Sequence, residues 1–124
     1  MGTRAVYTFK SHGESFHVYK HWDNAPTGAA AFIRAALERA WDLPRFEADE
    51  FAAAFIAENK HQGGDIRLVK SPSRIADADY FYEVEHNGTD LIVTCKDWDK
   101  RRRFKGTLAL FDAWVAAWAE GETV

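Results

Sequence analysis

Apolar and polar residues alternate from Arg4 to Phe9, with Ala5, Tyr7 and Phe9 on one side and Val6 and Thr8 on the other. A period of two predicts a strand, and apolar groups on both sides predict one at least partly covered on each face. Ser11-His12-Gly13-Glu14 is a turn, and an alternating run from Phe16 to His21 returns from it, so the two strands form a hairpin. In the returning strand Phe16, Val18 and Lys20 share one face, and His17, Tyr19 and His21 the other.

The period then becomes helical. Phe32, Ile33, Ala36, Leu37, Ala40 and Trp41 make a broad apolar stripe, predicting a helix from Gly28 to Trp41 with Thr27 as its N-cap and Pro44 closing it. A second helix is predicted over Ala48 to Asn59, with Asp49 and Glu50 at its positive end, Phe51, Phe55 and Ile56 facing the core, and Gly63-Gly64 terminating it. Ile66 to Val69 is a short strand, broken by Ser71-Pro72, and the chain to Asp79 is loop. Tyr80 to Glu85 and Asp90 to Cys95 flank Asn87-Gly88, a pair suited to a type I′ turn. That turn sets Val84 opposite Leu91, Tyr82 opposite Val93 and Tyr80 opposite Cys95. After Gly106-Thr107 a last helix carries Leu108, Phe111, Val115 and Trp118 in one stripe with Leu110 and Trp114 alongside, and Gly121 ends it. The expectation is one α+β domain over residues 1–124: an antiparallel sheet with helices on one face, in the order β-β-α-α-β-β-β-α.

Composition narrows the function. A chain of 124 residues, 47% hydrophobic, can bury a core without metal or disulfide staples. A net charge of −3 argues against a general nucleic-acid binder. The lone Cys95 cannot form an internal disulfide, and with no signal peptide or long apolar run the expected protein is cytoplasmic, with no membrane association. Five tryptophans are more than one modest core readily hides, and Trp22 and Trp98 fall in loops, where exposed aromatics serve a partner protein or a homodimer.

The densest stretch of functional groups is Tyr19-Lys20-His21-Trp22-Asp23-Asn24-Ala25-Pro26-Thr27-Gly28. Asp23, Asn24 and Pro26 suit a strand-to-helix connector. The stretch also suits a polar lip, with Tyr19, His21 and Asp23 on one face, Trp22 opposite, and Asn24 beside them. Together with the opening Met1-Gly2-Thr3-Arg4, Tyr80-Phe81-Tyr82-Glu83-Val84 and Phe104-x-Gly106-Thr107-Leu108, the spacing Tyr19-x-x-x-Asp23-x-x-Pro26-x-Gly28 resembles a family of uncharacterised small bacterial and phage proteins. Those begin MGTR, carry a tyrosine followed by DGYPSG, and end in a Tyr-rich hairpin and a C-terminal helix. The chain departs from them at Asn24-Ala25, where the family has Gly-Tyr. The resemblance implies a phage or mobile-element setting, and with it a non-enzymatic protein that binds by protein–protein contact, such as an anti-CRISPR-like inhibitor of a host defence system.

Chemical motifs are few. His17 and His21, four apart on a strand, stand roughly 13 Å from each other, too far to share an ion, so no metal is expected. Glu83 and Glu85 share a strand face, which suits either acid–base work or simple solvation. No Gly-x-Ser-x-Gly, Gly-x-x-x-x-Gly-Lys or Gly-x-Gly-x-x-Gly occurs, and no cofactor is expected. The run Lys100 to Lys105, with Arg101, Arg102 and Arg103 beside Trp98 and Phe104, suits a phosphate-bearing ligand or nucleic acid through charge and stacking. It equally suits an exposed loop rimming the last helix and balanced by Asp97 and Asp99. A competing function is therefore a small-ligand or nucleotide-binding protein, or a hydrolase, using the Tyr19–Asp23 region.

Overall fold

The strand Ala5–Ser11 (β1) is buried on both faces from Ala5 to Phe9, and the rest of the molecule is built outward from it. The structure, a computed structural model, describes residues 3–123 and the side chains through residue 118, so Met1 and Gly2 of the opening motif lie outside the described residues. On one side β1 pairs antiparallel with β2 (Glu14–Lys20), which pairs antiparallel with the short edge strand β3 (Ile66–Val69). On the other side β1 pairs parallel with β4 (Tyr80–His86). Antiparallel β5 (Leu91–Asp97) and β6 (Arg102–Thr107) complete the sheet, whose order is β3-β2-β1-β4-β5-β6.

The α+β class and the sequence of elements agree with the expectation, with two differences. The sheet is mixed, because the chain crosses from β3 to β4 over the sheet instead of continuing as a meander. A sixth strand, β6, forms within the charge run that was expected to be a loop. Alternation does not reveal β6, since only Phe104 among its residues is a large apolar group.

The first hairpin turns where expected and the second does not. At Ser11↔Glu14 the two loop residues His12 and Gly13 take φ of 51° and 77°, the paired left-handed conformations of a type I′ turn, which glycine adopts without strain. The type I′ turn expected at Asn87-Gly88 is absent. Pairing stops at His86↔Leu91, and a four-residue loop is closed by the Asn87 side chain, whose Oδ1 accepts from the Thr89 and Asp90 N–H groups at 2.9 and 2.8 Å. The register accordingly sets Val84 opposite Val93 and Tyr82 opposite Cys95, two residues from the expected one. A shift of two preserves the pleat, so each side chain keeps its predicted face.

All three helices pack on one face of the sheet. Helix α1 (Pro26–Arg39) begins two residues before its expected start, with Pro26 at the first helical position, Ala25 as N-cap, and no cap from Thr27. Helix α2 (Ala48–Asn59) has the predicted bounds, and α3 (Leu108–Thr123) continues through Gly121. Helix α2 lies over β1 and β2, α3 over β5 and β6, and α1 touches both helices. Tyr7, Phe9, Val18, Tyr82, Val84 and Val93 meet Ile33, Phe51, Phe55, Phe111 and Val115 in one apolar layer. Each large side chain buried there contributes about 1.5–3 kcal/mol. Arg39 Nε bonds Glu58 at 2.8 Å and Arg34 pairs with Asp112, tying α1 to its two neighbours at the surface.

The opposite face is mostly open. The segment 70–79 crosses it, bringing Ile75 and Ala78 onto Val6, Tyr19 and Phe81 in a small second core. Among the described residues no helix is long and apolar enough to cross a membrane.

Candidate functional site

Register fixes where the expected site residues go. Ala5 pairs with Lys20 and Tyr80, Lys20 with Ile66, and Tyr80 with Asp97. The connector after β2 and the turn after β5 therefore leave the sheet at the same end, three strand spacings or roughly 15 Å apart. Tyr19, His21, Trp22 and Asp23 stand on one side of this end, and Trp98, Arg101 and Arg102 on the other. Between them the Arg4 N–H donates to Asp79 at 2.9 Å, and its guanidinium pairs with Asp77.

Asn24 belongs to the interior, not to a binding surface. It is fully buried, its Oδ1 accepting from the Tyr7 hydroxyl at 2.7 Å and its Nδ2 donating to the carbonyls of Thr3 and Lys20 at 2.8 and 2.9 Å. The Tyr82 hydroxyl donates to the Asn24 carbonyl at 2.7 Å. Burial pushes both phenols well above their ordinary pKa, so they remain donors. A buried amide must be satisfied, and here it locks the first residues, β1, β4 and the helix start together. Turn chemistry alone does not reveal this role.

The connector is also tighter than its composition suggests. Lys20, buried on the helix face, donates to the Trp22 carbonyl at 2.8 Å and lies 3.8 Å from the centre of the Phe32 ring. Burial lowers its pKa, against the opposing charges of Asp23 and Asp65. Asp23 takes φ of 65° and turns its carbonyl onto the first turn of α1, where a Cβ on Gly28 would stand 1.9 Å from that oxygen. Only glycine fits there.

Trp22 does not oppose His21, as strict alternation predicted, because β2 ends at Lys20. Its ring meets the His21 ring edge-on at 4.4 Å, and the Tyr19 hydroxyl bonds His21 Nδ1. These three rings wall a shallow cavity of about 360 Å³, closed by Gln62–Asp65 and by Arg67, whose guanidinium lies 5.0 Å from the Tyr19 ring. Asp65 organises the far wall: its carbonyl accepts from the His21 N–H at 2.9 Å, and its Oδ2 from the N–H groups of His61 and Gln62. Burial raises the Asp65 pKa, but those two bonds and the nearby Lys60 outweigh it and hold the carboxyl below the ordinary range. Sequence reasoning missed Asp65 and Arg67, and read Gly63-Gly64 only as a helix stop.

The second side is built on Asp97. Its Oδ1 accepts from the N–H groups of Asp99 and Arg101, both at 3.0 Å, and its Oδ2 from Arg103 Nε at 2.9 Å. This turn thrusts Trp98 outward, 71% exposed. Arg101 pairs with Asp99 and Arg103 with Asp97, so of the three expected cationic residues only Arg102 has no carboxylate partner among the described residues. Asp97 and Asp99 thus balance two cations of the basic run, which sits on a strand and its turn.

Among the described residues no group of three or more His, Cys, Asp or Glu is placed to hold a metal ion. Cys95 is buried, its thiol pushed up to about 12 by burial. Neither a family description, nor a curated protein, nor a solved structure matches the chain.

Proposed function

We propose that this is a small non-enzymatic binding protein that grips a partner protein with the end of its sheet bearing Trp22 and Trp98. The carrying observation is that these two tryptophans, 45% and 71% exposed, leave the sheet at one end, each on a turn fixed by hydrogen bonds. Ordering exposed aromatics in advance lowers the entropy cost of docking, and aromatic anchors at such a spacing fit within one standard interface. The rim between them mixes Arg4, Asp77, Asp79 and Arg101, as interface rims do. The resemblance to small bacterial and phage proteins extends this reading to the class of partner, a host defence component inhibited by contact. A second copy of the chain is the other occupant this surface would take.

The test compares the wild type with Trp22→Ala, Trp98→Ala and the double variant. The partner captured by the wild type is to be lost from the double variant, and sedimentation of the pure protein reports self-association through the same residues. Undiminished capture and unchanged sedimentation by a folded double variant would refute the reading. A small-ligand or nucleotide-binding reading rests on the cavity between His21, Trp22 and Arg67. Saturable binding or turnover with a nucleotide panel, abolished by Arg67→Ala but not by Trp98→Ala, would favour it.

A further inference from the structure

A second cleft, of about 250 Å³, lies on the open face of the sheet and reaches the turn after β5 that also carries Trp98. Its floor is Phe81, with Glu83 and Lys96 to one side, Ser73 of the crossing segment above, and Lys100 over the opening. Glu83 is already fully engaged. Its Oε1 accepts from Lys10 Nζ at 2.8 Å and its Oε2 from Lys96 Nζ at 2.9 Å. Lys96 and Lys100 line the cleft together with Glu83, one positive charge in excess, while Lys10 and Glu85 line a neighbouring cavity.

Lys100 is the informative residue. It takes φ of 61°, a left-handed conformation where glycine or asparagine is the ordinary choice and lysine is strained. The turn imposes this: the Lys100 N–H donates to the Asp97 carbonyl at 2.8 Å, while the Asp97 side chain holds the residues on either side. The ammonium is directed back over the Phe81 ring, 5.5 Å from its centre, and has no carboxylate partner among the described residues. A strained cation held over the Phe81 ring at the mouth of a cleft is more than a solubilising side chain requires.

We propose that this cleft binds a small phosphomonoester, its dianion held by Lys96 and Lys100 with the Ser73 hydroxyl donating beside them. The excess positive charge favours an anion, lysine supplies the point charges that bind phosphate, and the volume is below that of drug-sized pockets. Glu83 holds Lys96 in place while Lys10 offsets its charge.

Methyl phosphate is the probe, titrated at constant ionic strength into the full-length protein with backbone amides followed by NMR. Saturable shifts are expected at Thr8, Ser73, Lys96 and Lys100, with methyl sulfate, equal in shape but singly charged, binding more weakly. Lys100→Gly is expected to weaken methyl phosphate about ten-fold or more, the worth of one charge-assisted contact, while leaving the melting temperature unchanged or higher because glycine relieves the φ strain. Equal affinity in Lys100→Gly would overturn the proposal. So would shifts scattered over the surface, or methyl sulfate binding as tightly as methyl phosphate.

Discussion

Replacing Asn24 by alanine should be among the most damaging changes in the chain, although the residue sits in a connector. The side chain makes three hydrogen bonds in a site closed to solvent. Its loss leaves the Tyr7 hydroxyl and the Lys20 carbonyl without these bonds, whereas the Thr3 carbonyl still accepts from the Asn24 N–H at 3.2 Å. Two buried polar groups at 1–3 kcal/mol each put the cost at about 2–6 kcal/mol. For a chain of this length that lowers the melting temperature by about 8–24 °C. Urea unfolding followed by tryptophan fluorescence measures it, and a double-mutant cycle tests the cause. Tyr7→Phe alone should cost about 1 kcal/mol, and close to nothing once Asn24 is alanine, because the hydroxyl has already lost its acceptor. Tyr82→Phe should cost about the same in both backgrounds, since its acceptor is the main-chain carbonyl of residue 24, which alanine keeps. An Asn24→Ala variant within about 0.5 kcal/mol of the wild type, or equal coupling of both tyrosines to Asn24, would refute the hub.

Three further outcomes are expected. Gly28→Ala should cost about 3 kcal/mol or more, because the added Cβ overlaps the Asp23 carbonyl and the start of α1 must move; Thr27→Ala, at a residue that caps nothing, should stay within about 0.5 kcal/mol by the same denaturation assay. Acid should destabilise in two stages. Burial and Lys10 lower the His17 pKa, so its contribution is full above 6.5 and is lost as pH falls through the folded value. Glu83 is likewise held below its ordinary 4.5, where burial is outweighed by Lys10 and Lys96, so a second loss follows below that pH and should shrink in Glu83→Gln. Finally, Cys95 should react with a thiol reagent at neutral pH only at the rate of unfolding, and rapid labelling of the native protein would contradict its burial.

Much of this architecture is legible in the pattern of the chain, for physical reasons. β1 carries apolar groups on both faces, and it proves to be an inner strand covered by helices on one side and by Ile75 and Ala78 on the other. The bounds of α2 follow from its acidic first turn and apolar stripe. β6 escapes because an edge strand needs no apolar alternation and is commonly guarded by charge, here Arg102, Arg103 and Lys105. The parallel pairing of β1 with β4 is a property of topology that no local window contains. At the candidate site, Trp22 and Trp98 could be read as loop residues, but their arrival at one end of the sheet depends on that same pairing. Asn24 was misleading because turn formers and buried amides share a residue type, and only burial separates them.

The parallel pair also constrains how the protein can be made. β1 leaves the ribosome well before its partner on one side, which is not available until the chain has been synthesised beyond residue 80. Until then the β1–β2 hairpin presents a bare strand edge together with Tyr7 and Phe9, and the main-chain carbonyl of Asn24 lacks the Tyr82 hydroxyl. Contacts so distant in sequence are reached late and slowly. A chain stopped at segment 70–79 lacks β4, β5 and β6, half of the sheet, and leaves the β4-facing edge of β1 open to other strands.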